Sequence, residues 1–286
     1  MIVDAHCHAG RGDLLTEPWR TAAPLGAYLR RARAAGIEGT VVLPTSHTDY
    51  SVANRELARL VADHYPRLIG FAGVHTARDA GRIHAMVAKA VQRYGFRGLK
   101  VHGDEAQPTR EVCAAAREFG LPMLVDVGGQ AWHVEMFAPE YRDVNFIIAH
   151  LGSFADDFRA MQQVVDQLVR HPNVYADTSG VRRFDYIVQA VRRAGPRKLL
   201  FGSDGPWLHP GVEITKIRLL GLSPREEALV LGGNALRLIG GNPVRESRQF
   251  PRRNGHDLAL HRIRPSRAPG IRQGTMSSGY RLTDAH

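Results

Sequence analysis

Cysteine is almost missing from this chain: Cys7 and Cys113 are the only two among 286 residues, and they have no CxxC spacing. That excludes a disulfide framework and leaves reduced thiols as the expectation. No window approaches the roughly 18 uninterrupted apolar residues that a membrane span requires. The chain enters a β-branched run at once, without a basic, apolar, small-residue leader. Together these features point to a cytoplasmic protein with no membrane partner. A glycine-rich dinucleotide fingerprint is also missing after the first apolar run, which weakens an open doubly wound sheet. Acidic residues are the scarcer charge, 28 against 38 basic ones, for a net charge of +10. Most of that surplus is local: from Arg245 to His286 nine arginines face Glu246, Asp257 and Asp284, a surplus of six, so the first 244 residues carry only +4. No basic stripe interleaved with aromatics occurs there, and nucleic acid is not an expected partner.

What is present is a repeated unit. A short β-branched run, a polar loop, an amphipathic segment and a Gly or Pro recur along the chain. Candidate strands cover residues 2–6, 40–43, 68–74, 98–102, 122–127, 145–150, 173–177 and 198–203. Helix-period segments such as "LGAYLRRARAAG", "HAMVAKAVQRYG" and "DDFRAMQQVVDQLVRHP" separate them. Strands alternating with helices predict parallel βαβ units, and eight of them within about 245 residues predict an α/β chain folded as one (β/α)8 barrel. The barrel is assigned to residues 1–245. Residues 246–286, rich in Arg, Pro, Gly and Ser, read as an irregular basic tail, solvated or docked, with a lid over the barrel or an oligomer contact as alternatives. A homo-oligomer is compatible with this reading. Arg11-Gly12-Asp13 is a three-letter coincidence.

Polar side chains stand where such a barrel has its mouth. Alternate strand residues point inward and the active site lies at the C-terminal strand ends, so His6 and His8 share the inward side and Cys7 faces the helices. Two imidazoles on one face can share one metal ion. One His-x-His in a chain with fourteen histidines is weak evidence; the other strand ends strengthen it. "GLKVHG" places Lys100 and His102 at one parity, "LVDVGG" ends on Asp126, "IIAHLG" on His150 and "FGSDGPW" on Asp204. Burying these groups costs several kcal/mol each unless they are paired or metal-bound. Convergence on one ion removes that cost.

"DAHCH", "GLKVHG", "FIIAHLG", "FGSDGPW" and "GGNALRLIG", in this order from Ile2 to about Gly241, resemble the amidohydrolase superfamily. The similarity is to its amidohydrolase-related branch, with aminocarboxymuconate-semialdehyde decarboxylase, resorcylate-type decarboxylases and several lactonases. The resemblance implies a distorted (β/α)8 barrel and a single divalent ion, usually zinc, held by His6, His8 and Asp204, with His150 acting beside it on substrate or water. One departure stands out: the branch's strand-5 histidine is replaced by Asp126. Asp126 as fourth ligand is the most economical reading, His102 from the neighbouring strand is the alternative, and His133 is a more remote loop candidate. More oxygen ligands shift preference toward manganese or ferrous iron, although the affinity order still favours zinc.

The chemistry expected first is hydrolysis of a small amide, lactone or ester by a metal-activated water, with Asp204 moving the proton and His150 or Lys100 stabilising the oxyanion. A metal-dependent decarboxylase of a small aromatic or unsaturated acid needs the same parts. A barrel that binds a ligand without turnover is the third reading. Lys100, His102, Arg182 and Trp207 are the candidate substrate contacts, with Arg183 beside Arg182.

Overall fold

The computed structural model describes residues 1–14, 22–154 and 156–240. The basic segment 246–286 and the boundary at 245 lie outside the described residues. Ten strands are formed among the described residues: β1 (Ile2–Arg11), β2 (Ala22–Ala23), β3 (Ile37–Pro44), β4 (Leu68–Gly70), β5 (Ala72–Gly73), β6 (Leu99–His102), β7 (Met123–Asp126), β8 (Phe146–Ile148), β9 (Val174–Asp177) and β10 (Leu199–Leu200). The short β2 pairs antiparallel with the end of β1. All the others pair in parallel, in the orders β1-β3-β4 and β5-β6-β7-β8-β9-β10.

Two sets of hydrogen bonds close this ladder into a barrel. Segments β4 and β5 are one run, as the sequence predicts, interrupted at Phe71; its N–H bonds Val42 O at 3.0 Å, and the next N–H, of Ala72, bonds Gly98 O at 2.9 Å. The other seam joins the last strand to the first through Ala5 N to Phe201 O (2.9 Å), Asp204 N to His6 O (2.8 Å) and His8 N to Gly205 O (2.6 Å). The eighth run is shorter as a ladder than the predicted 198–203, because Phe201 N turns to Val230 O and the remaining residues pair with β1. The result is the α/β barrel that the alternating pattern predicts.

Strand β1 does not alternate evenly. Val3 and Ala5 belong to the apolar filling of the barrel with Leu43, Ile69, Leu124, Ile147 and Leu200, whereas Cys7 and Ala9 pack with Tyr28, Val87 and other residues of the helical layer. Between Asp4 and Cys7 the pairing with β3 slips, three steps on β1 matching two on β3. This bulge leaves one residue unpaired and re-aims the rest of the strand. It lets apolar residues face inward below and His6 and His8 face inward above.

The helices cover the outside for ordinary reasons. In Phe158–Arg170, Ala160, Met161, Val164, Val165 and Leu168 recur at helical spacing and are buried, and Asp157 caps the start by accepting from the N–H of Arg159 and Ala160. At the opposite end from the mouth, Ala235, Leu238 and Ile239 close the barrel filling. No helix among the described residues is long and apolar enough to cross a membrane.

Candidate metal centre

At the mouth, three side chains meet as the parity of β1 and the position of Asp204 predict. His6 Nε2 and His8 Nε2 are 3.2 Å apart, and Asp204 Oδ1 is 3.6 Å from the first and 3.5 Å from the second. Donors bound at about 2.0–2.1 Å to one tetrahedral ion stand roughly 3.3–3.4 Å from each other. The triangle therefore has the size that one small divalent ion requires, and its donor set of two imidazoles and a carboxylate suits zinc or another first-row ion.

The other ring nitrogens are already engaged. His6 Nδ1 donates to Asp177 Oδ2 at 2.8 Å, and His8 Nδ1 donates to the Pro44 carbonyl at 3.3 Å. Each bond fixes the tautomer that leaves an Nε2 lone pair toward the shared point. Burial pushes both imidazoles below their usual pKa, His8 further than His6, because Asp177 partly offsets the effect at His6 while neighbouring cations add to it at His8. Both rings are thus neutral and able to ligate near neutral pH.

Asp177 is the functional residue that the sequence reading missed. Burial alone would raise its pKa, but His6, its hydrogen bonds and His150 hold it below the usual carboxylate range. Its Oδ1 accepts from His150 N (3.1 Å), Ser179 N (3.0 Å) and Ser179 Oγ (2.6 Å). The signal was in the sequence, since Asp177 ends the seventh run "NVYAD" at the parity of a barrel-facing residue. Gly202 leaves room for this group: a Cβ there would come within 2.9 Å of His6 Cβ and 3.2 Å of Ser179 Cβ.

His150 reaches the site by a turn, not by strand parity. Phe146 and Ile148 pack outward and Ile147 and Ala149 inward, so a straight strand would send residue 150 outward. The predicted strand 145–150 instead ends at Ile148, and His150 and Leu151 adopt left-handed φ values of 55° and 50°. Side chains rarely accept that region, and it concentrates at functional sites. Asp204 adopts it too, with φ 53°. The turn brings the His150 ring to 4.9 Å from that of His6 and its Nδ1 to 2.8 Å from Ser179 O. Burial lowers the pKa of His150, and Asp204, Asp126 and Asp177 together more than offset it, so its pKa sits above the ordinary value.

The remaining candidates take distinct places. Asp126 lies opposite His102 in the pairing of β6 with β7; its Oδ2 is 4.0 Å from His150 Nε2, and it stands beside the three-donor group, not within it. His102 Nε2 donates to Pro44 O at 3.3 Å, the carbonyl that also serves His8. Lys100 is fully buried. The Trp207 ring lies 4.8 Å from that of His8, and Phe154 meets His150 edge-on at 5.1 Å. Arg182 is 70% exposed and paired with Asp156 at 2.8 Å; Arg183 pairs with Asp185 at 2.7 Å on the surface. His133 stacks on Trp132 and joins no metal-sized group among the described residues.

A closed barrel with a three-donor site at its mouth defines a class of metal-dependent barrel enzymes. The chain belongs to the amidohydrolase family, whose model matches residues 3–241. Comparison with curated proteins gives no sequence match. Among solved structures, an amidohydrolase from Burkholderia multivorans with bound zinc is 19% identical, with 84% of this chain and 99% of that one covered at a TM-score of 0.69. A dihydroxybenzoic acid decarboxylase from Polaromonas with bound manganese and 2-nitroresorcinol is 18% identical, covering 83% and 96% at 0.64. A putative 2-pyrone-4,6-dicarboxylic acid hydrolase from Pseudomonas putida is 22% identical, covering 84% and 97% at 0.64. These likenesses establish the shared fold; the family contains both hydrolases and decarboxylases.

Proposed function

We propose that the protein is a metal-dependent hydrolase of a small amide, lactone or ester. The observation that carries this reading is the His6, His8 and Asp204 triangle with edges of 3.2–3.6 Å. A divalent ion held there supplies Lewis acidity and a water acidic near neutral pH; zinc is the first choice and manganese or iron the alternatives. Structures of relatives with bound zinc and with bound manganese support this range.

In this reading Asp204 has two tasks. One carboxylate oxygen serves the ion, and the other accepts the proton of the attacking water and passes it to the leaving group. His150, fixed through Nδ1 on Ser179 O, presents Nε2 to the substrate carbonyl oxygen as hydrogen-bond donor. Asp126 is the proposed fourth ligand, because its carboxylate faces the same space from the end of β7. Trp207 covers one side of the substrate, His102 offers a free Nδ1 acceptor, and Arg182 stands at the outer rim.

One observation favours the decarboxylase reading as the second. Trp207 and Phe154 flank the histidines with ring faces and edges, which suits a planar aromatic acid, and His150 or Asp204 would then deliver a proton to ring carbon. The test is metal analysis of protein purified without chelator, followed by turnover of a lactone and ester panel and of hydroxybenzoates with CO2 detection. About one metal per chain with lactone or ester turnover is expected; CO2 release alone selects the second reading, and a metal-free protein without either activity refutes both.

A further inference from the structure

Glu213 is a buried carboxylate that the site above leaves unused. It lies on the helix Pro210–Arg218, which follows the turn carrying Asp204 and Trp207, and only 6% of its side chain is exposed. Burial raises its pKa, and Lys216 and a backbone N–H work against that rise. Those two partners define where the carboxylate points. Its Oε2 takes the Lys216 ammonium at 2.5 Å and the Gly180 N–H at 3.1 Å, 33 positions away in the chain. Lys216 Nζ in turn donates to Val181 O at 2.8 Å. The pair thus grips the loop that follows β9, each charge on a backbone group of opposite sense. Gly180 is left-handed, with φ 65°, and a Cβ there would come within 2.4 Å of the Phe154 ring, so the position requires glycine.

One peptide unit connects this grip to the site. The C=O of Ser179 and the N–H of Gly180 belong to the same trans peptide, a rigid plane on which the two groups point in opposite directions. On one side the N–H meets Glu213; on the other the C=O accepts from His150 Nδ1 at 2.8 Å. Ser179 Oγ stands 3.0 Å from the same ring nitrogen, but its proton goes to Asp177 Oδ1 at 2.6 Å. We infer that Glu213 is a positioning residue for His150: through the Ser179–Gly180 peptide it fixes the carbonyl that orients the imidazole. The inference rests on the proposed function only in giving His150 a part in turnover. Rotation of that peptide carries the carbonyl off the ring and costs Gly180 its acceptor at the same time, so the carboxylate selects one rotation. A hydrogen bond at the N–H also polarises the C=O of the same unit and strengthens the bond it accepts. His150 depends on such support because it stands on a left-handed turn, φ 55°, past the end of β8. A buried ion pair is weak as a stabiliser, whereas an acid or base group must be held in one orientation to act.

The test uses the full-length, zinc-loaded protein carrying nitrogen-15 histidine. The His150 Nδ1–H, assigned by its loss in His150→Gln, should give a slowly exchanging imidazole signal in the wild type. Glu213→Ala should abolish that signal. With whichever activity the turnover panel reveals, it should also lower kcat about 10- to 100-fold at nearly constant KM and metal content. Glu213→Gln breaks the ion pair with Lys216 as alanine does but keeps an oxygen for Gly180, and it should restore both the signal and most of kcat. Glu213→Asp keeps the charge but is one methylene short of Gly180; it should resemble alanine and stands in for it if Glu213→Ala misfolds. A wild type without the signal, a signal unchanged in Glu213→Ala or Glu213→Asp, or glutamine as defective as alanine each overturns the proposal. So does metal lost in step with kcat, which would make the pair a general support of the mouth. Failure of the hydrolase reading is recorded separately, by absent lactone and ester turnover, and the imidazole signal then decides alone.

Discussion

The two walls of the barrel mouth are built differently. On the side of β1, β9 and β10 the histidines are held from behind: Asp177 holds His6 and the backbone of His150, and Pro44 holds His8. Asp4, on the outward side of β1, accepts from His6 N (3.0 Å), Ser203 N (2.9 Å) and the Tyr28 hydroxyl (2.6 Å), joining the strands that carry the two kinds of ligand. On the side of β6 and β7, Lys100 Nζ has no hydrogen-bond partner among the described residues, and Asp126 keeps one hydrogen bond to a local N–H, that of Gly128, with 29% of its side chain exposed. The braced wall presents a ready-made set of donors. The open wall keeps its charges available for whatever enters. Holding an ion demands fixed geometry, whereas recognising a substrate demands unspent hydrogen bonds.

Mutations can break this comparison in order of effect. His6→Ala removes a donor from the braced wall and should reduce metal from about one per chain to under a tenth, with turnover lowered by about 10³-fold or more, beyond the range of an outer-shell change; elemental analysis and steady-state rates check it. Asp177→Asn keeps the shape but loses the charge that orients His6, and metal affinity should fall about 10- to 100-fold. A change below twofold in a chelator competition would mean that the bracing is dispensable.

Smaller effects are expected on the open wall. Asp126→Ala should lower metal affinity about tenfold or less, since a carboxylate with one local hydrogen bond is a loosely held ligand; if it strips the metal as fully as His6→Ala, the two walls are not different in kind. Retention of metal with a displaced pH–rate profile would assign Asp126 to His150 instead. Arg182→Ala should alter KM within a few-fold and leave the melting temperature unchanged, as exposed ion pairs contribute little. The smallest effect is expected from truncation at about Asn242, because the segment beyond it lacks core-forming periodicity in its sequence; a large drop in melting temperature would show it to be part of the domain.

How much of this was legible depended on how straight the chain runs. Along β6 and β7 the period of two holds, and Lys100, His102 and Asp126 could be placed from spacing alone. His150 could not, because a left-handed turn undoes the parity of β8. The sequence shows that His6 and His8 share a face but not that β1 slips below them. Asp4 and Ser203 are 199 positions apart, and nothing local in one sequence announces that they pair. Asp177 was readable by the same strand-end logic as the others, yet a carboxylate that orients a ligand carries no spacing of its own.

The slip in β1 makes the barrel's plumbing and its chemistry separately editable. Below it, odd-numbered residues fill the interior; above it, even-numbered ones do. Substitutions in the lower set alter packing without rotating the upper set. Straightening β1 at its present length is another matter: strict alternation continued from Val3 and Ala5 would turn both histidines toward the helices and put the Cys7 thiol in their place. The extra residue is therefore as much a part of the site as the ligands: the same "HCH" on an unbulged strand of equal length would face the helices.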